Sequence, residues 1–121
     1  MSDPTRALNP VEVEQAILSA ANEVAKGVEE YSRVHAAYLE AERLFDLAWA
    51  RSYMSLKGPV EERKQQSVLN TESEKFALNV AEVSFKYVDK RLRAAESRLS
   101  AFQTLSKSVT SMYGAAGRGE Y

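Results

Sequence analysis

The fold is decided by residues 78–113, LNVAEVSFKYVDKRLRAAESRLSAFQTLSKSVTSMY. From Leu78 to Tyr113, steps of three and four residues alternate without interruption and fall almost always on apolar or small side chains. The positions are Leu78, Ala81, Phe85, Val88, Leu92, Ala95, Leu99, Phe102, Ser106, Val109 and Tyr113. This pattern, sustained over about five heptads, is typical of a helix that packs along one seam against another helix.

A second long helix precedes this one. Asn9-Pro10-Val11-Glu12 has the order of a helix start, with a capping side chain, a proline at the first helical position and a glutamate three residues after the cap. The helical pattern continues to Lys57, where Gly58 and Pro59 supply a stop. We therefore predict a first helix over 10–57 and a turn at 58–59.

The second helix is predicted over 60–113. Thr71 and Glu74 form a capping-box pattern directly after Asn70, which predicts a break or kink near residue 70. The glycine-containing segment 114–121 is expected to be a flexible tail, and residues 1–9 a disordered N-terminus.

No segment alternates polar and apolar residues between turn residues, so the predicted fold is all-α. The short turn makes the two helices antiparallel neighbours, and the protomer is predicted to be a long, coiled-coil-like helical hairpin. The predicted packing seam comprises Leu78, Phe85, Val88, Leu92, Leu99 and Phe102 with Tyr31, Tyr38 and Phe45 of the first helix. Because the apolar face of the first helix is wider than one seam, we expect a homo-oligomer, rather than a monomer that folds its tip or tail back.

Composition narrows the class of protein. The chain has 121 residues, a formal net charge of −1 and no cysteine, so we expect one domain without disulfides or thiolate metal sites. The N-terminus lacks the build of a signal peptide, and no apolar run approaches the ~20 residues needed to cross a bilayer. We therefore expect a cytoplasmic protein with no membrane partner.

The residues that catalysis needs are scarce. The single histidine, His35, lies at the edge of the seam, where a packing role is favoured over that of a base or metal ligand. The carboxylate pairs at 29–30, 40–42 and 61–62 point to different sides of a helix, which indicates solvated charge. We expect no catalytic residues, no metal site and no cofactor, and so not an enzyme.

Charge is distributed unevenly. Residues 1–58 hold six basic and nine acidic side chains, whereas residues 59–121 hold ten and eight. One line along the second helix contains no acid and reads Lys86, Lys90, Arg93, Ser97, Ser100, Thr104 and Lys107. Such side chains suit a phosphate backbone, since each can donate to phosphate oxygens. The alternative is that they form a solvated coiled-coil flank or pair with acidic residues of a neighbouring protomer.

A second basic group surrounds the turn between the helices. It consists of Arg51, Lys57, Arg63 and Lys64, with Trp49 and Tyr53 nearby. Positive charge combined with aromatic side chains is typical of sites for single-stranded nucleic acid, whose bases are free to stack. The alternatives are that Lys57 complements the helix dipole and that Trp49 belongs to the core.

Three features carry a resemblance to a known family. Ala50-Arg51 is followed by Tyr53 and Gly58 at the close of a long first helix. A polar, charged linking segment comes next, and then a long second helix that ends in small, glycine-containing residues. In these respects the chain resembles the UvsY-type recombination mediators, small all-helical accessory proteins of phage recombination and replication modules.

The resemblance implies a ring-like homo-oligomer of helical hairpins that binds single-stranded DNA and helps a RecA-type recombinase to replace single-strand-binding protein. It implies that Arg51 contacts DNA near the end of the first helix. The family's second basic position, just before it, is Trp49 here. Lys57, Arg63 and Lys64 are the basic residues that would take over that contact.

We therefore expect a non-enzymatic, single-stranded DNA-binding recombination mediator. The predicted nucleic-acid-binding residues are Arg51, Lys57, Arg63, Lys64, Lys86, Lys90, Arg93 and Lys107. The alternative is a coiled-coil protein-interaction module, such as a phage adaptor, a virion component or an inhibitor of a host defence protein. A net charge near zero favours this alternative, because dedicated DNA-binding proteins are commonly basic.

Overall fold

A computed structural model describes the backbone of residues 9–119 and the side chains of residues 9–114. Within this range the chain forms three helices and no strand: α1 (Pro10–Ser55), α2 (Val60–Asn70) and α3 (Glu72–Gly119). The predicted all-α fold is confirmed, and the long helices pack against each other. The helices contribute to two compact units. One contains α1 up to Val28 and α3 from Arg91, and the other contains residues 29–90.

The start of α1 has the cap that its sequence indicates. The Asn9 side-chain oxygen accepts a hydrogen bond from the Glu12 amide at 2.9 Å. The Asn9 carbonyl accepts one from the Val13 amide at 3.1 Å. Asn9, placed in the expected disordered N-terminus, is therefore the N-cap of α1, and residues 1–8 lie outside the described residues.

The turn between α1 and α2 is longer than predicted. α1 ends at Ser55, two residues before the predicted end. Gly58 has a φ of 115°, a left-handed conformation that favours glycine. Pro59 is extended and acts as the N-cap of α2, since its carbonyl accepts from the Arg63 amide at 3.1 Å. The turn therefore spans 56–59, with the left-handed Gly58 and the extended Pro59 leading into α2.

The second predicted helix is divided at Thr71, but the mechanism differs from the capping box that the sequence indicates. The Thr71 hydroxyl donates to the Ser67 carbonyl at 2.7 Å, one turn back in α2. The Thr71 amide donates to the same carbonyl at 3.1 Å. Bonding of a threonine hydroxyl to the carbonyl four residues earlier bends helices. The interruption is therefore a local bend at one residue between α2 and α3.

The last helix is longer than predicted. α3 continues to Gly119, six residues beyond the predicted end at residue 113 and into the expected flexible tail. A glycine costs only about 1 kcal/mol relative to alanine in a helix, and no proline blocks the continuation. The remaining tail residues, 120–121, lie outside the described residues.

The core of the unit formed by residues 29–90 is built around Phe85. Its ring lies 5.2 Å from Tyr31, 5.0 Å from His35 and 5.6 Å from Tyr38, measured between centroids. His35 thus packs among aromatic rings. Buried apolar side chains continue the core along the predicted seam, namely Val34, Leu78 and Val88. Tyr31 and Tyr38 of α1 contact Phe85, whereas Phe45, later in α1, lies near Lys75, earlier in α3. These stretches therefore lie side by side and antiparallel.

The other unit packs the beginning of α1 against α3 from Arg91 onward. Its buried apolar residues are Val13, Ala20, Ala95 and Val109. Glu23 accepts a hydrogen bond from Arg98 and forms an ion pair with it. Tyr113, the last residue of the predicted seam, is 53% exposed, so the buried seam ends at Val109.

Gly27 allows a close approach of α1 and α3 in this unit. A Cβ atom at Gly27 would lie 2.9 Å from the Leu92 Cδ1 atom and 3.7 Å from Leu92 Cβ. The absent side chain therefore leaves room for Leu92 between the two helices. None of the helices, within residues 9–119, has the length and apolar character needed to cross a membrane.

Enlarging residue 27 tests this packing. We expect Gly27→Leu to lower the free energy of unfolding by about 1–3 kcal/mol, because the added side chain competes with Leu92 for the same space. Leu92→Ala alone should cost about 2 kcal/mol or more. The double variant should lose less than the sum, since the new side chain fills the vacated volume.

Urea unfolding followed by circular dichroism measures all three variants. The control is Ala25→Leu at an exposed position of α1, which should change stability by no more than about 0.5 kcal/mol. Additive losses in the double variant would contradict the proposed contact.

Candidate nucleic-acid interface

A polar network joins α1 to α2 close to the turn. The Ser52 hydroxyl donates to the Ser67 hydroxyl at 3.2 Å and accepts from the Asn70 amide nitrogen at 3.0 Å. Gln66 in turn donates to the Asn70 side-chain oxygen at 2.9 Å. Ser67 is fully buried, so its hydroxyl depends on Ser52. The network fixes how the last turns of α2 lie against the last turn of α1.

This network was not predicted, although a sequence signal for it exists. Counting back from Leu78 in steps of four, three and four gives Glu74, Thr71 and Ser67. Ser67 and Thr71 are both buried, and Glu74 is half-buried. The seam therefore continues through the bend into α2 with polar residues in place of apolar ones.

Near this network, α1 and α2 also form a stack of two aromatic rings and one guanidinium group, here called the stack. The rings of Trp49 and Tyr53, one helical turn apart on α1, are 5.2 Å apart and inclined by only 7°. The Arg63 guanidinium of α2 lies over the Tyr53 ring, 4.6 Å from its centroid. All three side chains are half-buried. Stacked flat groups of this kind provide the type of surface on which a nucleobase can stack.

The stack is surrounded by charge. Residues 49–64 hold four basic and two acidic side chains, a local excess of two positive charges. Lys57 and Lys64 are exposed, and Lys64 lies 3.7 Å from Glu61, an exposed contact that adds little stability. The Nε atom of Arg63 is buried and has no hydrogen-bond partner among the described residues. Its position is set by stacking on Tyr53.

Arg51 does not share the face of the stack. It lies two residues from both Trp49 and Tyr53, which corresponds to about 200° around the helix. Arg51 is exposed on the other side of α1. Of the predicted residues at the turn, the structure therefore brings together Arg63 with the two aromatic rings, and places Arg51 elsewhere.

The predicted basic line on α3 is exposed throughout, but its first member is already paired. Lys86 lies 2.8 Å from the Glu82 carboxylate, one turn earlier on the same helix. The hydrogen bond from Lys86 holds the pKa of Glu82 below its ordinary value, and Glu82 raises the pKa of Lys86. Both groups therefore stay charged near neutral pH, and Lys86 has an anionic partner there.

The remaining members of the line fall in different units. Lys90 belongs with residues 29–90, whereas Arg93 and Lys107 belong with the stretch of α3 from Arg91 onward. Thr104 donates its hydroxyl to the Ser100 carbonyl at 3.1 Å, within the helix.

A second unpredicted feature is an exposed apolar surface, here called the outer stripe. It consists of Phe76, Val80, Val83 and Tyr87 of α3 together with Leu69 at the end of α2, all at least half exposed. A signal for it was present in the sequence, since Phe76, Val80, Val83 and Tyr87 repeat the four-three-four spacing of the seam with an offset of two residues.

A groove of about 470 Å³ borders the outer stripe. It is lined by Phe45, Val68, Thr71, Glu72, Lys75, Phe76 and Asn79. The Lys75 ammonium lies 5.0 Å from the centroid of the Phe45 ring, so the predicted packing residue Phe45 also forms one wall of this groove. Phe76 belongs to both the groove and the outer stripe.

Comparison of the chain with protein-family models, curated proteins and solved structures finds no match. What the protein does must therefore be inferred from its own residues and their geometry.

The polar network gives a test of how the stack is held in place. We expect Ser52→Ala to lower the free energy of unfolding by about 1–3 kcal/mol, because it leaves the buried Ser67 hydroxyl without its partner. Ser67→Ala should cost a similar amount. The double variant should cost clearly less than the sum, since neither orphaned hydroxyl remains.

The measurement is chemical unfolding of the three variants. Ser73→Ala, at an exposed position of α3, is the matched control and should be nearly neutral. A double variant that loses the full sum would show that the two hydroxyls act independently.

Proposed function

We propose that this protein binds single-stranded DNA as a homo-oligomer and assists the loading of a recombinase, without catalysing a reaction. The observation that carries the proposal is the stack of Trp49, Tyr53 and Arg63. Flat aromatic and guanidinium groups receive bases of any sequence, and nearby lysines attract the phosphate backbone. The recombinase and single-strand-binding protein enter as partners through the family resemblance.

The stack is favoured over the basic line as the main contact. Lys86, the first member of the line, already has Glu82 as a partner. Lys57 lies within the turn, and Lys64 follows Arg63, whose guanidinium lies over the Tyr53 ring. The alternative function, a coiled-coil protein-interaction module, is supported by the outer stripe, which is apolar and exposed.

Binding can be followed without a label, because Trp49 is the only tryptophan. We expect oligothymidylate to quench its fluorescence, with an affinity that falls as salt rises because phosphate contacts release counterions. Tyr53→Ala should weaken binding about tenfold or more, since stacking contributes about 1–3 kcal/mol per base. Tyr53→Phe keeps the ring and should bind nearly as the native protein does.

The variant Arg63→Met distinguishes an effect on DNA binding from an effect on the stability of the fold. It keeps an apolar stem against Tyr53 and removes a buried donor that has no partner, so stability should be retained while binding falls. Lys26→Met removes one exposed positive charge from α1 and is the control for net charge. Equal binding by native and Tyr53→Ala proteins, measured by anisotropy of a labelled oligonucleotide, would exclude the stack as the site.

The role of the basic line is tested by removing the carboxylate of Glu82, with which Lys86 pairs. We expect Glu82→Gln to leave the affinity for oligothymidylate within about twofold, apart from the small effect of one lost negative charge. Glu14→Gln, at an exposed position of α1, corrects for that effect. A several-fold gain specific to Glu82→Gln would move the proposed site from the stack to the line.

A further inference from the structure

The outer stripe makes part of α3 apolar on two opposite sides. Its members are 50–69% exposed: Phe76, Val80, Val83 and Tyr87, with Leu69 at the end of α2. Val80, Val83 and Tyr87 each follow a seam position by two residues, so they lie about 200° around the helix from the seam. The seam is covered by α1. The opposite side is exposed at these residues, and its spacing is regular enough to form a second seam.

The size of this surface matches a small protein interface. With about half to two thirds of each side chain exposed, five large residues present on the order of 500 Å² per copy. Two such surfaces facing each other would bury about 1,000 Å², near the lower limit for specific complexes. An apolar patch of this size is in the range of the largest patch on a typical monomer, and such patches are often functional.

The charges beside the outer stripe indicate which kind of partner could bind to it. Glu72 and Lys86 both lie on the flank of α3 that contains Asn79, seven residues before it and seven residues after it. On this flank Glu72 is acidic at one end and Lys86 is basic at the other, and both side chains are exposed. The flank is therefore complementary to itself when reversed.

We infer that two copies of this chain associate through their outer stripes, antiparallel, around a two-fold axis beside Asn79. Glu72 of each copy then faces Lys86 of the other, and Phe76, Val80 and Val83 form the apolar centre. A parallel arrangement would place Glu72 beside Glu72 and Lys86 beside Lys86, which is repulsive at both ends. The inference rests on the homo-oligomer in the proposed function and is independent of DNA binding.

The apolar part is tested by sedimentation equilibrium of the DNA-free protein over a concentration series. We expect native protein to dimerise in the micromolar range, and Phe76→Ala combined with Tyr87→Ala to weaken dimerisation at least about thirtyfold. The helix content of this variant should be unchanged, because both side chains are largely exposed. Leu39→Ala, an exposed apolar residue of α1, is the matched control and should dimerise normally.

The orientation is tested by charge exchange. Glu72→Lys places two lysines opposite each other twice in a dimer, and Lys86→Glu does the same with two glutamates, so each variant should dimerise about tenfold more weakly. An equimolar mixture of the two restores both attractive pairs and should form heterodimers. The double variant Glu72→Lys/Lys86→Glu should also recover.

Native protein that remains monomeric at about 100 μM, or native-like dimerisation of the Phe76→Ala/Tyr87→Ala variant, would overturn the proposed surface. Loss of dimerisation in that variant without recovery in the charge mixture would overturn the antiparallel arrangement. Fluorescence anisotropy of a labelled oligothymidylate on the same samples reports DNA binding separately. Dimerisation without DNA binding would thus count against the proposed function alone.

Discussion

The packing of the seam on α1 is the constraint on which the other features depend. In the unit of residues 29–90, three rings of α1 surround Phe85 and determine which side of α3 faces inward. Because helical side chains repeat every three to four residues, this one choice also determines the outward side. Leu78 and Val88 become buried, and Val80 and Val83 are left exposed. The outer stripe is therefore a direct consequence of the seam.

The same packing places α2, but with polar contacts in the seam positions. Ser67 and Thr71 are buried where a regular seam would have apolar residues, and Ser67 bonds to Ser52 of α1. An apolar contact tolerates small shifts along a helix, whereas a buried hydroxyl loses its partner when the helices slide. The network can thus hold α2 in one register. That register brings Arg63 over Tyr53 and creates the stack.

The sequence predicted the structure best where one repeat of apolar residues determines the packing of a helix. The seam of α3 follows from its spacing as far as Val109, whereas Tyr113 matches the spacing and is nevertheless exposed. The bend near residue 70 was predicted from a capping box, but the Thr71 hydroxyl instead donates to the Ser67 carbonyl, one turn earlier. The sequence does not determine which of these two local hydrogen bonds forms.

The stack was only partly predicted from the sequence. Trp49 and Tyr53 share a face by spacing, but the contact with Arg63 depends on the tertiary placement of α2, which spacing alone does not give.

Lys86 belongs to the basic line of α3 and also lies on the flank of the outer stripe, so it is shared by these two surfaces. Its bond to Glu82 already indicates that its charge is used within the protein. In the proposed antiparallel pair it would also meet Glu72 of the second copy, so that it pairs with a neighbouring protomer and not with phosphate. Under the proposed function, DNA binding would then be made by the stacks at the turns, of which the proposed dimer has two. Two linked sites bind one strand more tightly than either alone, so the local excess of positive charge at the turns would offset a net charge of −1 for the chain.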